Sequence, residues 1–316
     1  MAGNAITNTF MSYDAKGLRE DLTDVIWNVS PTETPFVTSI AKAKATNTLH
    51  EWQTDALAAF DVTNAQVQGD DITSYQQTTP TARLGNRTQI SRKTLIISGT
   101  EEVALKAGRK SEMAYQVAKR GRELRRDIEG ICLNRQAAVA AASGTAPTLA
   151  GVSAWIKTSS SRGTSGTNPT GDGTDLPTDG TQRAVTEAML KTVLAGIFTA
   201  SGEQPDIMLT PPGQKGTVSA FTGNATRFME ATAEKIVAGV NLYSGDFGEV
   251  KIVPDRFMRA REIFVLNSDY WALAWYRPIQ MADLAKTGDA EKKMLIAEYT
   301  LEARNEASSG VIADLT

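Results

Sequence analysis

The chain has 316 residues, with 33 lysines and arginines against 36 aspartates and glutamates, a formal net charge of −3 and 41% hydrophobic residues. That balance describes a globular protein of one large domain or two ordinary ones, without an overall electrostatic drive toward DNA or anionic lipid. A single cysteine, Cys132, and a single histidine, His50, leave no internal disulfide and nearly exclude zinc sites and histidine-dependent triads.

The opening residues, MAGNAITNTFMSYDAKG, are polar and lack the apolar core of a secretion signal, so they read as a loose arm. No run approaches the ~20 apolar residues of a membrane helix, which points to a soluble protein made in the cytoplasm. In LREDLTDVIWNVS, Leu18, Leu22, Val25, Ile26 and Val29 share one helical face, and Glu20, Asp21 and Asp24 suit a helix start. Pro31 and Pro35 end that helix and open a short second one.

From about 46 to 98 the texture changes. NTLHEWQTDAL and RLGNRTQISRKTLIIS alternate and are rich in Thr, Ile and Leu, which predicts two strands. The polar stretch between them has no helical period, and a loop this long needs a reason. The unit reads as a hairpin projecting from the body.

Met113, Val117, Gly121, Leu124, Ile128, Ile131, Cys132 and Val139 then recur every three to four residues. They predict one helix from about Lys110 to Ala142, roughly 50 Å long at 1.5 Å per residue, a spine for the molecule. IKTSSSRGTSGTNPTGDGTDLPTDGTQ reads as a mobile surface loop. A helix is expected near Thr181 to Ala200, then a buried strand in PDIMLTP and a proline-opened helix in PPGQKGTVSAF. EVKIVP, REIFVLN and YWALAWY are strand-like. LIAEYTLEAR alternates cleanly, with Leu295, Ala297, Tyr299, Leu301 and Ala303 on one face and Ile296, Glu298, Thr300, Glu302 and Arg304 on the other.

Motifs for chemistry are sparse. GRKSE lacks the preceding glycine and strand of a phosphate-binding loop. Asp172, Asp175 and Asp179 do not follow calcium-loop spacing, and no glutamate closes the set. Cys132 reads as a small core residue, and His50 as a surface or interface residue. Trp27, Trp52, Trp155, Trp271 and Trp275 are scattered, which favours core packing over a base-stacking platform. No catalytic residue, cofactor or metal ligand is assigned.

AKRGRELRRDIEG holds Lys119, Arg120, Arg122, Arg125 and Arg126, interspersed with Glu123, Asp127 and Glu129. One reading is a solvated face laced by Lys119–Glu123 and Arg125–Glu129 at i,i+4, each pair adding a few tenths of a kcal/mol. Direct DNA reading has less support. A protein partner is the third reading, because Glu51 to Ala82 contains no Lys or Arg, while Glu51, Asp55, Asp61, Asp70 and Asp71 are acidic. This suggests that Asp55, Asp61, Asp70 and Asp71 of one copy face Lys119, Arg120, Arg122, Arg125 and Arg126 of the next, fixing register more than affinity.

The order of parts resembles the major capsid proteins of tailed bacteriophages, the Hong Kong ninety-seven fold. FGEVKIVPDRFM, REIFVLNSDYWALAWYRPIQMADLAKTGD and KKMLIAEYTLEARNEASSG carry the likeness best, and it extends over essentially the whole chain. It implies an α+β fold with an N-arm (1–45), an extended two-stranded loop (46–98), a peripheral domain with the spine (99–145 and 276–316) and an axial α/β domain (146–275). It also implies a homo-oligomer whose hexamers and pentamers tile the icosahedral shell of a virion, assembled in the host cytoplasm. The shell would enclose double-stranded DNA without sequence-specific contact, and portal, scaffolding and cement or decoration proteins would be further partners.

Some members of the fold crosslink subunits through a lysine in the extended loop. Here the tip has none and Lys93 lies near the base, so no crosslink is expected. Others carry a long N-terminal scaffolding extension. The arm helix starting near residue 18 leaves no room for it, and Met1 favours a separate scaffolding protein. Two alternatives stand beside this reading. One is a bacterial nanocompartment shell of the same fold; the other is an oligomeric carboxylate-dependent enzyme, for which no spacing speaks.

Overall fold

The structure, a computed structural model, describes residues 33–69, 71, 72, 75–105, 108–221 and 241–316. The helix expected over LREDLTDVIWNVS and the residue Asp70 lie outside them. Helix α1 (Pro35–Ser39) leads into β1 (Ala41–Lys44), followed by β2 (Leu49–Thr54), β3 (Ala82–Arg87), β4 (Gln89–Ser98), α2 (Gly99–Val103) and α3 (Glu112–Leu133). Then come β5 (Ser159–Ser161), α4 (Glu187–Ser201), β6 (Ile207–Thr210), α5 (Pro212–Ser219), β7 (Leu242–Gly245) and β8 (Gly248–Pro254). The chain finishes with β9 (Ile263–Leu266), β10 (Trp271–Asp283), β11 (Ala290–Ala303) and β12 (Gly310–Ile312).

Four strands in the order β1-β10-β11-β4 form one sheet, and six in the order β5-β12-β9-β6-β8-β7 form another. On the first sheet, the alternation in LIAEYTLEAR plays out as expected: Leu295, Ala297, Tyr299, Leu301 and Ala303 are all buried under α1 and α3, with Phe36, Leu124, Ile128 and Trp271. On the opposite face of β11, Glu298, Thr300 and Glu302 are buried as well. The base of the hairpin covers them, and the carboxylates are paired. Glu298 takes Arg277 at 2.8 Å and the Thr88 hydroxyl at 2.9 Å, and Glu302 lies 3.2 Å from Arg304 and 3.6 Å from His50. An unpaired carboxylate there would be costly.

The stretch RLGNRTQISRKTLIIS is two strands, divided at Thr88. β3 pairs with β2 alone, six residues against six, whereas β4 joins β11 from Gln89↔Tyr299 to Ser98↔Ala290. Asn86 fastens the divide to the body. Its Nδ2 donates to Leu301 O (2.7 Å) and Ala150 O (3.2 Å), and its Oδ1 accepts from Ala150 N (2.8 Å). IAKAKA, just after the short helix, supplies β1, parallel to β10 from Ala41↔Ala272 to Lys44↔Trp275.

The spine starts at Glu112, close to the expected Lys110, with the Ser111 hydroxyl accepting from Ala114 N at 3.1 Å. It ends at Leu133 rather than near Ala142, so it is about 33 Å long at 1.5 Å per residue. Good helix formers follow, and tertiary contacts override them. The Gln136 side chain donates to Leu149 O and Gln89 Oε1 (2.9 and 3.0 Å), Ala138 N donates to Gly173 O (2.8 Å), and Val139 pairs with Thr148. Gly151 presses on the Asn134 carbonyl so closely that a Cβ would sit 2.1 Å from it. Val139, assigned to the apolar stripe, is 41% exposed.

In the second lobe α4 covers the six-stranded sheet through Leu190, Val193, Leu194 and Ile197, against Met208, Ile252, Ile263, Val265 and Ile312. The helix begins at Glu187, capped by Thr186, not at Thr181. The residues before it are held extended by the C-terminal segment, with Arg183 N donating to Asp314 O (2.8 Å) and Thr316 N to Arg183 O (3.1 Å). β10 belongs to the first sheet from Trp271 onward, and β12 joins the second.

The Gly/Ser/Thr-rich stretch, expected to be mobile, is pinned along its length. Glu306 accepts from Lys157 N and Thr158 N (3.1 and 3.2 Å), Thr167 pairs with Thr178, and Asp172 and Asp175 accept from neighbouring threonines. Asp179 gathers Arg135 (2.8 Å), Arg259 and Arg261 (3.5 Å), which hold its carboxyl down at about 2.

Two outcomes follow. Asn86→Ala leaves Ala150 N and Leu301 O buried without partners and is expected to cost about 2–4 kcal/mol in denaturant unfolding; a change below experimental error would mean the hairpin base needs no anchor. Asp179→Ala is expected to cost about 1–3 kcal/mol at neutral pH. The Asp179 contribution is complete above the ordinary aspartate pKa of ~3.9 and fades as pH falls toward about 2, where the variant and wild type should converge in stability.

Candidate assembly interface

The loop joining β2 to β3 is exposed at every described position from 55 to 81. Asp55 accepts from Ala56 N (3.0 Å). Asp61 accepts from Thr63 N (2.8 Å) and Thr63 Oγ1 (2.6 Å), bonds that hold its carboxyl below the usual range. Asp71 is exposed. The loop is not simply polar: Leu57, Phe60, Val62, Val67, Ile72 and Tyr75 stand 71–100% exposed. Six large apolar side chains on one projecting segment are characteristic of a surface that another molecule covers. They follow neither a two-residue nor a helical period, so periodicity does not find them.

On α3, Lys119, Arg122 and Arg125 are exposed and form no ion pair among the described residues. Arg120 donates to Glu123 (2.6 Å), and the Arg126 guanidinium lies 5.5 Å from the centre of the Phe257 ring. Neither expected i,i+4 pair forms. Glu123 is taken by Arg120 one turn earlier, Asp127 pairs with Lys93 (2.5 Å), and Glu129 is buried. Three cations therefore remain open to a partner. Within one chain none of Asp55, Asp61 or Asp71 pairs with this cluster among the described residues.

Glu129 has a different task. Its Oε1 accepts from Phe36 N (2.6 Å) and its Oε2 from Val37 N (2.8 Å), capping α1 from across the core. The Asp255 carboxyl, also buried, is its acidic neighbour, since the turn that follows Asp255 packs Phe257 on the spine at Arg126 and Gly130. Burial raises both carboxyls above their usual values, Glu129 to about 8. Burial likewise pushes the Cys132 thiol up, which keeps it an inert core group. His50 sits half-buried with its ring 5.9 Å from that of Trp52. Among the described residues no group of three His, Cys, Asp or Glu could hold a metal ion, and no helix is long and apolar enough to cross a membrane.

With this geometry in view, the comparisons are informative. The capsid asymmetric unit of cyanophage A-1(L) superposes with a TM-score of 0.65 at 17% identity, covering 98% of this chain and 100% of that one. A structure from Gordonia phage Cozz gives 0.62 at 10% identity, covering 99% and 97%. The fold is therefore the α+β Hong Kong ninety-seven fold of tailed-phage capsid shells. The major capsid protein of Escherichia phage Phieco32 is 30% identical over 339 residues, 96% of each chain. Residues 5–316 match the family model for the SU10 major capsid protein, and the chain belongs to that family. It is a structural protein of a phage shell, and these phage relatives favour that role over a nanocompartment shell.

The exposed loop makes a direct expectation about free and assembled protein. Chymotrypsin should cut unassembled subunits after Phe60 or Tyr75, while trypsin should leave 45–82 intact because the segment has no Lys or Arg. In shells the chymotrypsin cuts should disappear. Equal cleavage in both states would show that the loop stays uncovered.

Proposed function

We propose that the chain tiles a closed icosahedral shell as hexamers and pentamers around double-stranded DNA, with the 55–81 loop of one copy lying over the spine of the next. The observation that carries this reading is a pair of unsatisfied surfaces on one chain. A loop with six exposed apolar side chains and no basic residue stands apart from a helix face with Lys119, Arg122 and Arg125 unpaired. The two surfaces differ, so each contact is head-to-tail, and such contacts close into rings where the rotation allows. Apolar burial supplies the attraction, and charge selects the register.

In this reading the β2–β3 hairpin is the extended loop and the sheet under α3 is the peripheral domain. The six-stranded sheet is the axial domain, and residues up to about 45 are the N-arm. The loop tip has no lysine, so subunits hold together without a covalent crosslink, by interlocking or by a separate cement protein. Portal and scaffolding proteins are the other expected partners, the subunit has no catalytic role, and assembly takes place in the host cytoplasm.

The test is charge reversal. Asp61→Lys with Asp71→Lys, or Arg122→Glu with Arg125→Glu, should each abolish shells in sedimentation and negative-stain microscopy at low salt. Combining the two sets should restore some assembly. Unchanged shells in both single sets would remove charge pairing from the interface, and apolar contact alone would then have to explain the loop.

A further inference from the structure

We propose that Glu129 and Asp255 share one proton, and that losing it releases α1 from the spine: a proton-operated latch on the N-terminal segment. Three parts of the molecule meet at this point. α1 carries the chain leading in from the N-terminus, α3 supplies Glu129, and Asp255 follows directly on β8 of the six-stranded sheet. Both acids are essentially without solvent contact, at 0% and 1% exposure.

Four carboxyl oxygens are present, and three have an N–H donor. Glu129 Oε1 and Oε2 take Phe36 N and Val37 N, and Asp255 Oδ1 takes Phe257 N (2.8 Å). Asp255 Oδ2 is buried with no donor. A single proton on that oxygen, donated toward Glu129, satisfies the set with one negative charge, and that charge lies against the first N–H groups of α1. Without the proton two anions face each other in a dry site, which proteins avoid by keeping one carboxyl neutral.

Among the described residues no cation is placed to take the proton's part. α1 (PFVTS) carries no charged side chain, and Arg126 is spread over the Phe257 ring. Arg256 points to solvent, and Asp127 is held by Lys93 (2.5 Å). The remaining titratable neighbours, Cys132 on α3 and Tyr299 on β11, are buried and stay neutral. Because the folded-state carboxyls are raised, their stabilising effect is complete below the unfolded carboxylate pKa of ~4 and is lost as pH rises through about 8.

Amide hydrogen exchange on the full-length chain, corrected for intrinsic rates, reads the latch at Phe36 and Val37. Wild type is expected to lose protection by up to about tenfold per pH unit above the transition, the limit for one proton. Asp255→Asn, which donates its amide to Glu129 and leaves both Glu129 oxygens to accept from Phe36 N and Val37 N, should show a flat profile. A flat wild-type profile, or the same loss in Asp255→Asn, would overturn the proposal. Should a variant fail to fold, infrared spectroscopy of the wild type decides. A protonated carboxyl band at neutral pH that vanishes at alkaline pH supports the latch, and its absence at neutral pH refutes it.

Discussion

The molecule depends on one strand that is buried on both sides. β11 presses Leu295, Ala297, Tyr299 and Leu301 onto the spine, while its other edge of side chains, Glu298, Thr300 and Glu302, lies under the base of the hairpin. A strand in that position cannot carry an unpaired charge, and the structure meets the demand with Arg277, Thr88, Arg304 and His50. The same pairing orients the hairpin. Since Thr88 and Asn86 bind to β11 and to its surroundings, the direction in which the loop leaves the body follows from the direction of β11 itself.

That geometry bears on assembly. A shell subunit must offer different surfaces to its successive neighbours without satisfying them internally. Here the described acidic residues of the loop form no ion pair with the cations on their own spine. The internal ion pairs of α3 that form are short-range, Arg120–Glu123 and Lys93–Asp127, and they remove Glu123 and Asp127 from competition with a partner. What is left exposed is net positive. The chain's small overall charge thus conceals two opposed local surfaces, and the distribution matters more than the sum.

Much of this was legible in the order of residues, and the failures have physical causes. The five-residue alternation from Leu295 to Ala303 identified the core face of β11, because burial on a strand imposes a two-residue period. The start of the spine was visible in its apolar stripe. Its end was not, since Arg135 to Ala142 favour a helix locally, and contacts with Gln89, Thr148, Leu149, Gly151 and Gly173 draw them out of it. Composition likewise made 157–182 look mobile, because the arginines that hold Asp179 lie 44 residues before it or 80 and more after it. Glu129 was misplaced by its spacing from Arg125, although its real partners are 92 and 93 residues away in α1. The apolar side chains of the loop follow no period, because nothing within the chain requires one of them.

One residue separates β3 from β4, and the two strands belong to different sheets. A single residue provides no slack. With Thr88 N bound to Thr48 O (2.9 Å) and its hydroxyl to Glu298, the hairpin is a rigid arm hinged on a short fulcrum. The hairpin base is thereby joined through β4, without an intervening loop, to the face on which the spine rests.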